Sequence, residues 1–249
     1  MEKEIRKESL NSDVIDKIND FFSSKGLESY PFKIGWYNEV VDENFKFPYK
    51  EDTLAVVIIS TPSMFEAGLL PYILREECPG GGDMLDNYLK GEFAKIQEIF
   101  PQHDIEAIHD FELHPSHRPK VLVQTAGHVA GAAYYYQRKD VQPDPWGEET
   151  KIFGVSVHPK FGGWFALRGV LIFKDLQCPD LPKKAPDDIV PTHELRKELL
   201  ERFNFRWQDW TYRDIILVEG KYSEHQKLYF ETPPKDRPQL IQKLKRELK

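Results

Sequence analysis

Apolar positions along the chain change period several times, and each change marks an element. Leu10, Val14, Ile18, Phe21 and Phe22 recur at helical spacing over residues 4–24, and Gly26 is placed to end that helix. Residues 29–41 read as extended, because Phe32, Ile34 and Trp36 take alternate positions. Residues 54–59 are an unbroken apolar run of strand length, which fits a strand buried on both faces. Thr61-Pro62 opens a helix over 61–74, with Thr61 as cap and Pro71 kinking or shortening it. Pro79-Gly80-Gly81-Gly82 is a flexible break. A second helix follows over 83–100, with Leu85, Leu89, Phe93, Ile96 and Phe100 on one face. Residues 104–113 and 120–124 read as a strand pair around the loop His114-Pro115-Ser116-His117-Arg118-Pro119. Residues 151–157 and 164–173 read as a hairpin, with Pro159 and Gly162-Gly163 in its turn. Repeated prolines make 175–191 a connector. Helices over 192–203, 223–230 and 237–248 close the chain, and Ser223 with Gln226 fits a capping box. Long helices between antiparallel-type strands predict an α+β domain.

Within this pattern, residues 124–168 concentrate unusual chemistry. Small residues from Ala126 to Ala133 run directly into Tyr134-Tyr135-Tyr136-Gln137. Asp144-Pro145-Trp146-Gly147 makes an acidic turn, and His158-Pro159-Lys160-Phe161-Gly162-Gly163-Trp164 leads to Arg168. Small residues let a backbone approach something flat or bulky. Tyrosines supply rigid apolar faces with a hydrogen-bonding tip, and an arginine anchors carboxylate or phosphate. The stretch reads either as the wall of a pocket for a large amphipathic ligand or as tight core packing.

Composition narrows the classes. At 249 residues the chain has ample length for a buried core, as one large domain or two small ones. A net charge of −7 argues against a broad nucleic-acid or anionic-membrane surface. No apolar run approaches a membrane span, and the charged N-terminus has no signal core. Cys78 and Cys178 are the only cysteines, too few for a disulfide framework, so cytosol is the expected compartment.

Candidate chemistry is sparse. Gly80-Gly81-Gly82 before a helix lacks the lysine and spacing of a phosphate loop. His109, His114 and His117 lack the companions of a zinc site. His128-Val129-Ala130-Gly131 matches half of the Asp-x-His-x-x-Gly element that ligates cobalt from below, but Ala126 stands where the aspartate belongs. His128 is therefore expected to be structural rather than a metal ligand. Arg168, Arg213 and Arg237, if they converge, suit a small peptide with more than one carboxylate and lower the pKa of a thiol in it. No nucleophile elbow or carboxylate pair is visible, so the chemistry falls to a bound cofactor.

Longer motifs carry a resemblance. Tyr30-Pro31-Phe32-x-Ile34-Gly35-Trp36-Tyr37-Asn38-Glu39, Ser60-Thr61-Pro62-x-Met64-Phe65, the His128 to Gln137 run, His158-Pro159-x-Phe161-Gly162-Gly163-Trp164-Phe165-Ala166, Asp209-Trp210-Thr211-Tyr212-Arg213-Asp214 and Tyr229-Phe230-x-Thr232-Pro233-Pro234 are similar to those of the cobalamin C-type family. Its members are cobalamin-processing chaperones and dealkylases associated with methylmalonic aciduria with homocystinuria. The resemblance covers nearly the whole chain.

It implies a flavin nitroreductase-like antiparallel sheet with flanking helices, in one domain over 1–249 whose helical part from about 192 closes over the site. It places cobalamin, base-off, against Asp110 at the end of one strand and Val121, Leu122, Val123 and Gln124 on the next. Tyr135, Tyr136, Gln137, Ser156 and Leu167 complete that set. Glutathione falls to Arg168, Arg213 and Arg237. The implied activities are transfer of alkyl groups to glutathione and reductive decyanation, with thiol oxidation on the side. The implied partners are a cobalamin D-type trafficking protein and methionine synthase. Two departures stand out. The loop that reads Pro-Asn-Arg-Arg-Pro-Lys in relatives is Pro115-Ser116-His117-Arg118-Pro119-Lys120, which leaves FMN or FAD use and dimerisation open. Relatives carry cysteine where this chain has Ser156. A cobalamin carrier and a flavin-dependent reductase are the alternatives.

Overall fold

The computed structural model describes residues 2–75 and 83–248, with side chains of the first helix from Asp13 onward. The expected break at Pro79-Gly80-Gly81-Gly82, and Cys78, lie outside the described residues. In chain order the regular elements begin with α1 (Glu2–Ser23), β1 (Leu27–Lys33), α2 (Ile34–Asn38), β2 (Thr53–Ser60), α3 (Leu70–Leu74), α4 (Met84–Ile99) and β3 (Ile105–His109). They continue with α5 (Val123–Val129), β4 (Tyr134–Tyr136), β5 (Val155–Val157), β6 (Ala166–Gln177), α6 (His193–Arg206), α7 (Glu224–Glu231) and α8 (Arg237–Glu247).

The main sheet has the order β1-β2-β6-β3 and every pairing is antiparallel. All eight residues of β2 are buried, as its unbroken apolar run requires. Its alternate side chains feed two cores. Leu54, Val56 and Ile58 pack with Phe22 of α1, Leu89 and Phe93 of α4, and Leu244 of α8. Ala55, Val57 and Ile59 pack with Tyr37 of α2 and Ala126 and Val129 of α5. Each large apolar side chain buried this way contributes roughly 1.5–3 kcal/mol. A third core joins the small β4–β5 ribbon to Leu199 and Leu200 of α6. The result is a mixed helix-and-sheet fold with an antiparallel sheet covered on both faces.

Four local expectations change. Residues 34–38 are helical, not extended. β1 outruns its partner, since Lys33 already faces Leu54, near the start of β2. The chain then turns in, and Asn38 closes the turn by donating to Phe47 O and accepting from Phe47 N, both at 2.9 Å. The helix expected from Thr61 starts later and is widened to a π-turn over Phe65–Leu69. Thr61 Oγ1 instead donates to Gly26 O, and Pro71 has no N–H for the carbonyl of Ala67. Residues 120–124 form no strand: after Lys120 N donates to Glu112 O the chain enters α5, whose small residues pack on the sheet. Finally, the hairpin of 151–157 with 164–173 does not form. β2 and β3 occupy both edges of β6, so β5 pairs with β4 instead.

The turn between β5 and β6 is nonetheless tight. His158 and Gly162 exchange both backbone hydrogen bonds, at 2.8 and 2.9 Å. The His158 ring is 1% exposed; its Nδ1 accepts from Lys160 N at 3.1 Å and its Nε2 meets Tyr30 Oη at 3.0 Å. Burial, aided by Lys160 and Lys184, lowers its pKa from 6.5 to about 4. The unfolded chain therefore binds one more proton than the folded one between those values. Stability from this group is complete above pH 6.5 and is lost as pH falls toward 4, by about 3 kcal/mol in all. Urea unfolding at pH 7 and pH 4.5 is expected to show this slope, and His158→Gln to flatten it. An equal slope in the variant would remove His158 as the cause.

Candidate functional site

The β4–β5 ribbon builds one wall. Its register sets Tyr135 opposite Ser156, and Tyr134 and Tyr136 opposite Val157 and Val155. Alternation therefore puts Tyr135 and Ser156 on one face, while Tyr136 enters the third core. Tyr136 is fully buried, donating to Asp188 Oδ1 and accepting from Val190 N, both at 2.8 Å. Its side chain is thus fully engaged within the protein. Tyr135 lies over bare backbone: a Cβ on Gly154 would stand 2.6 Å from its ring. Ser156 Oγ is buried and has no hydrogen-bond partner among the described residues. Burial pushes the Tyr135 phenol's pKa up, with Gln137 pulling the other way.

α5 links this ribbon to the main sheet. His128 Nδ1 accepts from Tyr135 N at 3.1 Å, and its ring meets Tyr134 edge-on at 4.9 Å. Burial lowers its pKa, so the imidazole is a neutral acceptor that holds the ribbon. Gly127 lets Leu167 of β6 come in close; a Cβ there would lie 2.7 Å from Leu167 Cδ2. Val121 and Leu167 are buried beside the half-buried Leu122 and Val123, and Leu122 N donates to Tyr37 Oη at 3.0 Å. Gln124 is exposed on the first turn of α5. A cleft of about 230 Å³ opens here, lined by Val40, Thr125, His128, Tyr134, Tyr135, Gln137, Lys139 and Asp140. Thr125 was not singled out from the sequence, although its spacing from His128 puts both on one helical face.

Arg168 owes its position to a β-bulge. Ile58 faces Gly169 and Ile59 faces Leu167, so Arg168 is the extra residue and is turned out of the ladder. It is 8% exposed, yet its guanidinium makes one hydrogen bond among the described residues, from Nε to Ser60 Oγ at 2.8 Å. Asp110 follows β3, its N–H donating to Arg168 O at 3.2 Å. Burial pushes its carboxyl up to about 6, with Arg168 pulling the other way. Arg237 donates to Asp83 Oδ2 at 2.5 Å, and Asp83 Oδ1 caps α4 through Leu85 N at 2.9 Å. Asp86, on the first turn of α4, has its pKa raised by burial and by Asp83, with Lys90, Arg168 and Arg237 pulling the other way.

Arg213 sits apart, in an aromatic cage. Trp210, Tyr212 and Tyr222 each lie 5.1 Å from its guanidinium and Trp164 lies at 5.6 Å. One Nη donates to Gly163 O, while Nε is buried without a partner among the described residues. It edges a cleft of about 420 Å³ lined by Trp207, Gln208, Trp210, Tyr212, Phe230 and Glu231. Phe230 packs on Tyr222 at 5.6 Å and on Tyr229 at 5.7 Å, and Arg237 lies over Tyr229 at 4.8 Å. A continuous aromatic run thus joins Arg213 to Arg237. The other histidines lie elsewhere. His109 is buried between Phe93 and Phe111, while His114 and His117 are exposed. Among the described residues no three His, Cys, Asp or Glu side chains gather as a metal site. No helix among them is long and apolar enough to cross a membrane.

These features define an α+β protein with an aromatic and small-residue wall beside a buried, partly unpaired arginine. The family model for methylmalonic aciduria and homocystinuria type C matches residues 26–241, and the chain belongs to that family. A chicken protein named cyanocobalamin reductase / alkylcobalamin dealkylase is 53% identical over 228 residues, 92% of this chain and 95% of that one. A human protein of the same name is 48% identical over 225 residues, 90% of this chain and 79% of that one. The crystal structure of a Caenorhabditis elegans B12-trafficking protein superposes with a TM-score of 0.87 at 33% identity, covering 97% of this chain and 99% of that one.

Proposed function

We propose that this chain is an enzyme that binds cobalamin base-off and removes its upper ligand, using glutathione for alkyl groups and reduction for cyanide. Relatives named for cobalamin reduction and dealkylation support the substrate class. The observation that carries the chemistry is Arg168, a buried guanidinium with both Nη groups free of partners among the described residues. A buried, underused guanidinium is a ready site for a bidentate carboxylate.

On this reading Tyr135, Ser156, Leu167, Val121, Leu122, Val123 and Gln124 face the corrin, with Asp110 at its edge. Gln137 supports Tyr135, and Tyr136 acts through the backbone of β4, since its side chain is spent in the core. Arg168, Arg213 and Arg237 hold glutathione and favour its thiolate. The thiolate sulfur attacks the alkyl carbon in line. The C–S bond forms as the Co–C bond breaks, the electron pair leaves with cob(I)alamin, and the thiol proton goes to solvent. The protein works by proximity and by excluding water, with no covalent intermediate. For cyanocobalamin, two glutathione thiols supply the two electrons that reduce the cobalt, joining as a disulfide and releasing two protons, while cyanide leaves with the Co–C bonding pair; no step is assigned to a flavin. We place the chain in the nitroreductase-like class, as one unit over 1–249 in which residues 192–249 supply Arg213 and Arg237 from above. We also assign it to the cytosol, passing product to a cobalamin D-type protein and methionine synthase.

The test is anaerobic mixing of the protein with methylcobalamin and glutathione while the visible spectrum is followed. Conversion to reduced cobalamin is expected; a base-off shift with the methyl group retained would leave a carrier. Ser156→Ala offers a second check. A buried hydroxyl without a partner costs about 1–3 kcal/mol, so the ligand-free variant is expected to melt no lower than the wild type. Cobalamin affinity is expected to fall if that hydroxyl serves the ligand, and unchanged titrations would exclude the contact.

A further inference from the structure

Residues 162–164 and 210–214 are clasped together at Arg213. The turn between β5 and β6 admits its backbone closely: a Cβ on Gly162 would stand 2.4 Å from Arg213 O, and one on Gly163 would stand 2.8 Å from Arg213 Cα. Gly163 N donates to Arg213 O at 3.0 Å, and the guanidinium donates back to Gly163 O. The next residue of each segment repeats the pairing with side chains. Trp164 Nε1 donates to Asp214 Oδ1 at 2.7 Å, and Lys221 Nζ donates to Asp214 Oδ2 at 2.8 Å. Trp164 is buried, whereas Asp214 and Lys221 are exposed.

An exposed ion pair stabilises little by itself. The bond from the buried indole does something else: it fixes the rotation of a ring that stands 5.6 Å from the Arg213 guanidinium and walls its cage. Trp210, another wall, is held at φ +61°, a left-handed conformation that is strained for so bulky a residue. Arg213 N donates to its carbonyl at 3.0 Å, so the strained turn carries the arginine directly. Strain of this kind collects at functional sites. We infer that Asp214 is a positioning residue for thiol-peptide binding: through Trp164 it holds the Arg213 guanidinium ready for a carboxylate, without touching the ligand itself. This rests on the reading of Arg213 as a glutathione anchor. A guanidinium held in place beforehand gives up less freedom on binding, so loss of its support appears in affinity rather than in turnover.

The experiment follows demethylation of methylcobalamin by glutathione in the cobalamin-loaded protein, without oxygen, and reads the half-saturating glutathione concentration and the limiting rate. Asp214→Ala is expected to raise that concentration about 10-fold and to leave the limiting rate little changed. Asp214→Asn keeps an acceptor for Trp164 and is expected to retain most of the wild-type affinity. Trp164→Phe keeps a ring in the wall but removes the donor, and is expected to match Asp214→Ala; it takes the place of that variant if the alanine protein folds poorly. In an Arg213→Ala background neither substitution is expected to add a further loss, because both act through the arginine. Losses that multiply in the double variants, an unchanged half-saturating concentration in Asp214→Ala or Trp164→Phe, or an equal loss in Asp214→Asn overturns the positioning role. An unchanged value in Arg213→Ala alone overturns instead the reading of Arg213 as a thiol-peptide anchor, and the assignment with it.

Discussion

Replacing Arg168 by alanine is expected to lower kcat/KM for glutathione-dependent demethylation of methylcobalamin by about 100-fold or more. Truncating one partner of a buried, hydrogen-bonded charge pair costs about 2–5 kcal/mol, and each 1.4 kcal/mol is tenfold. The fold should survive. The Arg168 guanidinium makes one hydrogen bond among the described residues, to Ser60 Oγ, and Ser60 retains a contact to Ala166 O at 3.4 Å. The base-off spectrum should therefore still form on adding cobalamin, because Tyr135 and Ser156 of the proposed corrin wall stand on β4 and β5, and Leu167, though next to Arg168 on β6, packs against Gly127 of α5. Arg168→Lys should fall between the two, keeping charge but losing the planar fork. Stopped-flow spectra under anaerobic conditions read rate and binding in one experiment. Full glutathione dependence in Arg168→Ala would remove Arg168 from the thiol site.

That arginine was legible as a candidate, but its setting was not. The hydrophobic code located β2, because a strand covered on both faces must be apolar throughout. It located α1, α4, α6, α7 and α8, and Thr192, Ser223 and Asp83, at the starts of three of them, each accept from the first turn that follows. The Ser223 half of the expected box forms; Gln226 turns into the core instead. Pairing failed where it depended on which edges were free. Nothing local to residues 151–173 reveals that β2 and β3 already flank β6. The short apolar run 121–124 fits either period, and the packing of Ala126 and Gly127 on the sheet decides for helix.

One signal was present and unread. Leu167 and Val170 both face the same core, an interval of three where an unbroken strand gives two. A glycine inside such a run marks a bulge, and here it is Gly169, directly after the arginine. Gly169 has φ +145°, and a Cβ there would lie 2.4 Å from Ile108 O and 3.0 Å from His109 Cα. Those atoms belong to the neighbouring strand, so they cannot yield without breaking the β3–β6 pairing. Gly169→Ala is therefore expected to cost roughly 2–4 kcal/mol in unfolding free energy, from backbone strain and steric conflict together. Gly147 supplies the control, with φ +71° and nothing within 4 Å of an added Cβ, so Gly147→Ala carries strain alone. The folded fraction of Gly169→Ala should also show weakened glutathione use, since the displaced bulge no longer holds Arg168 against Ser60. Urea unfolding and thiol titration of the two variants decide the matter. Equal losses in both would mean that the close approach of β3 imposes nothing, and that Arg168 is aimed by something other than the bulge.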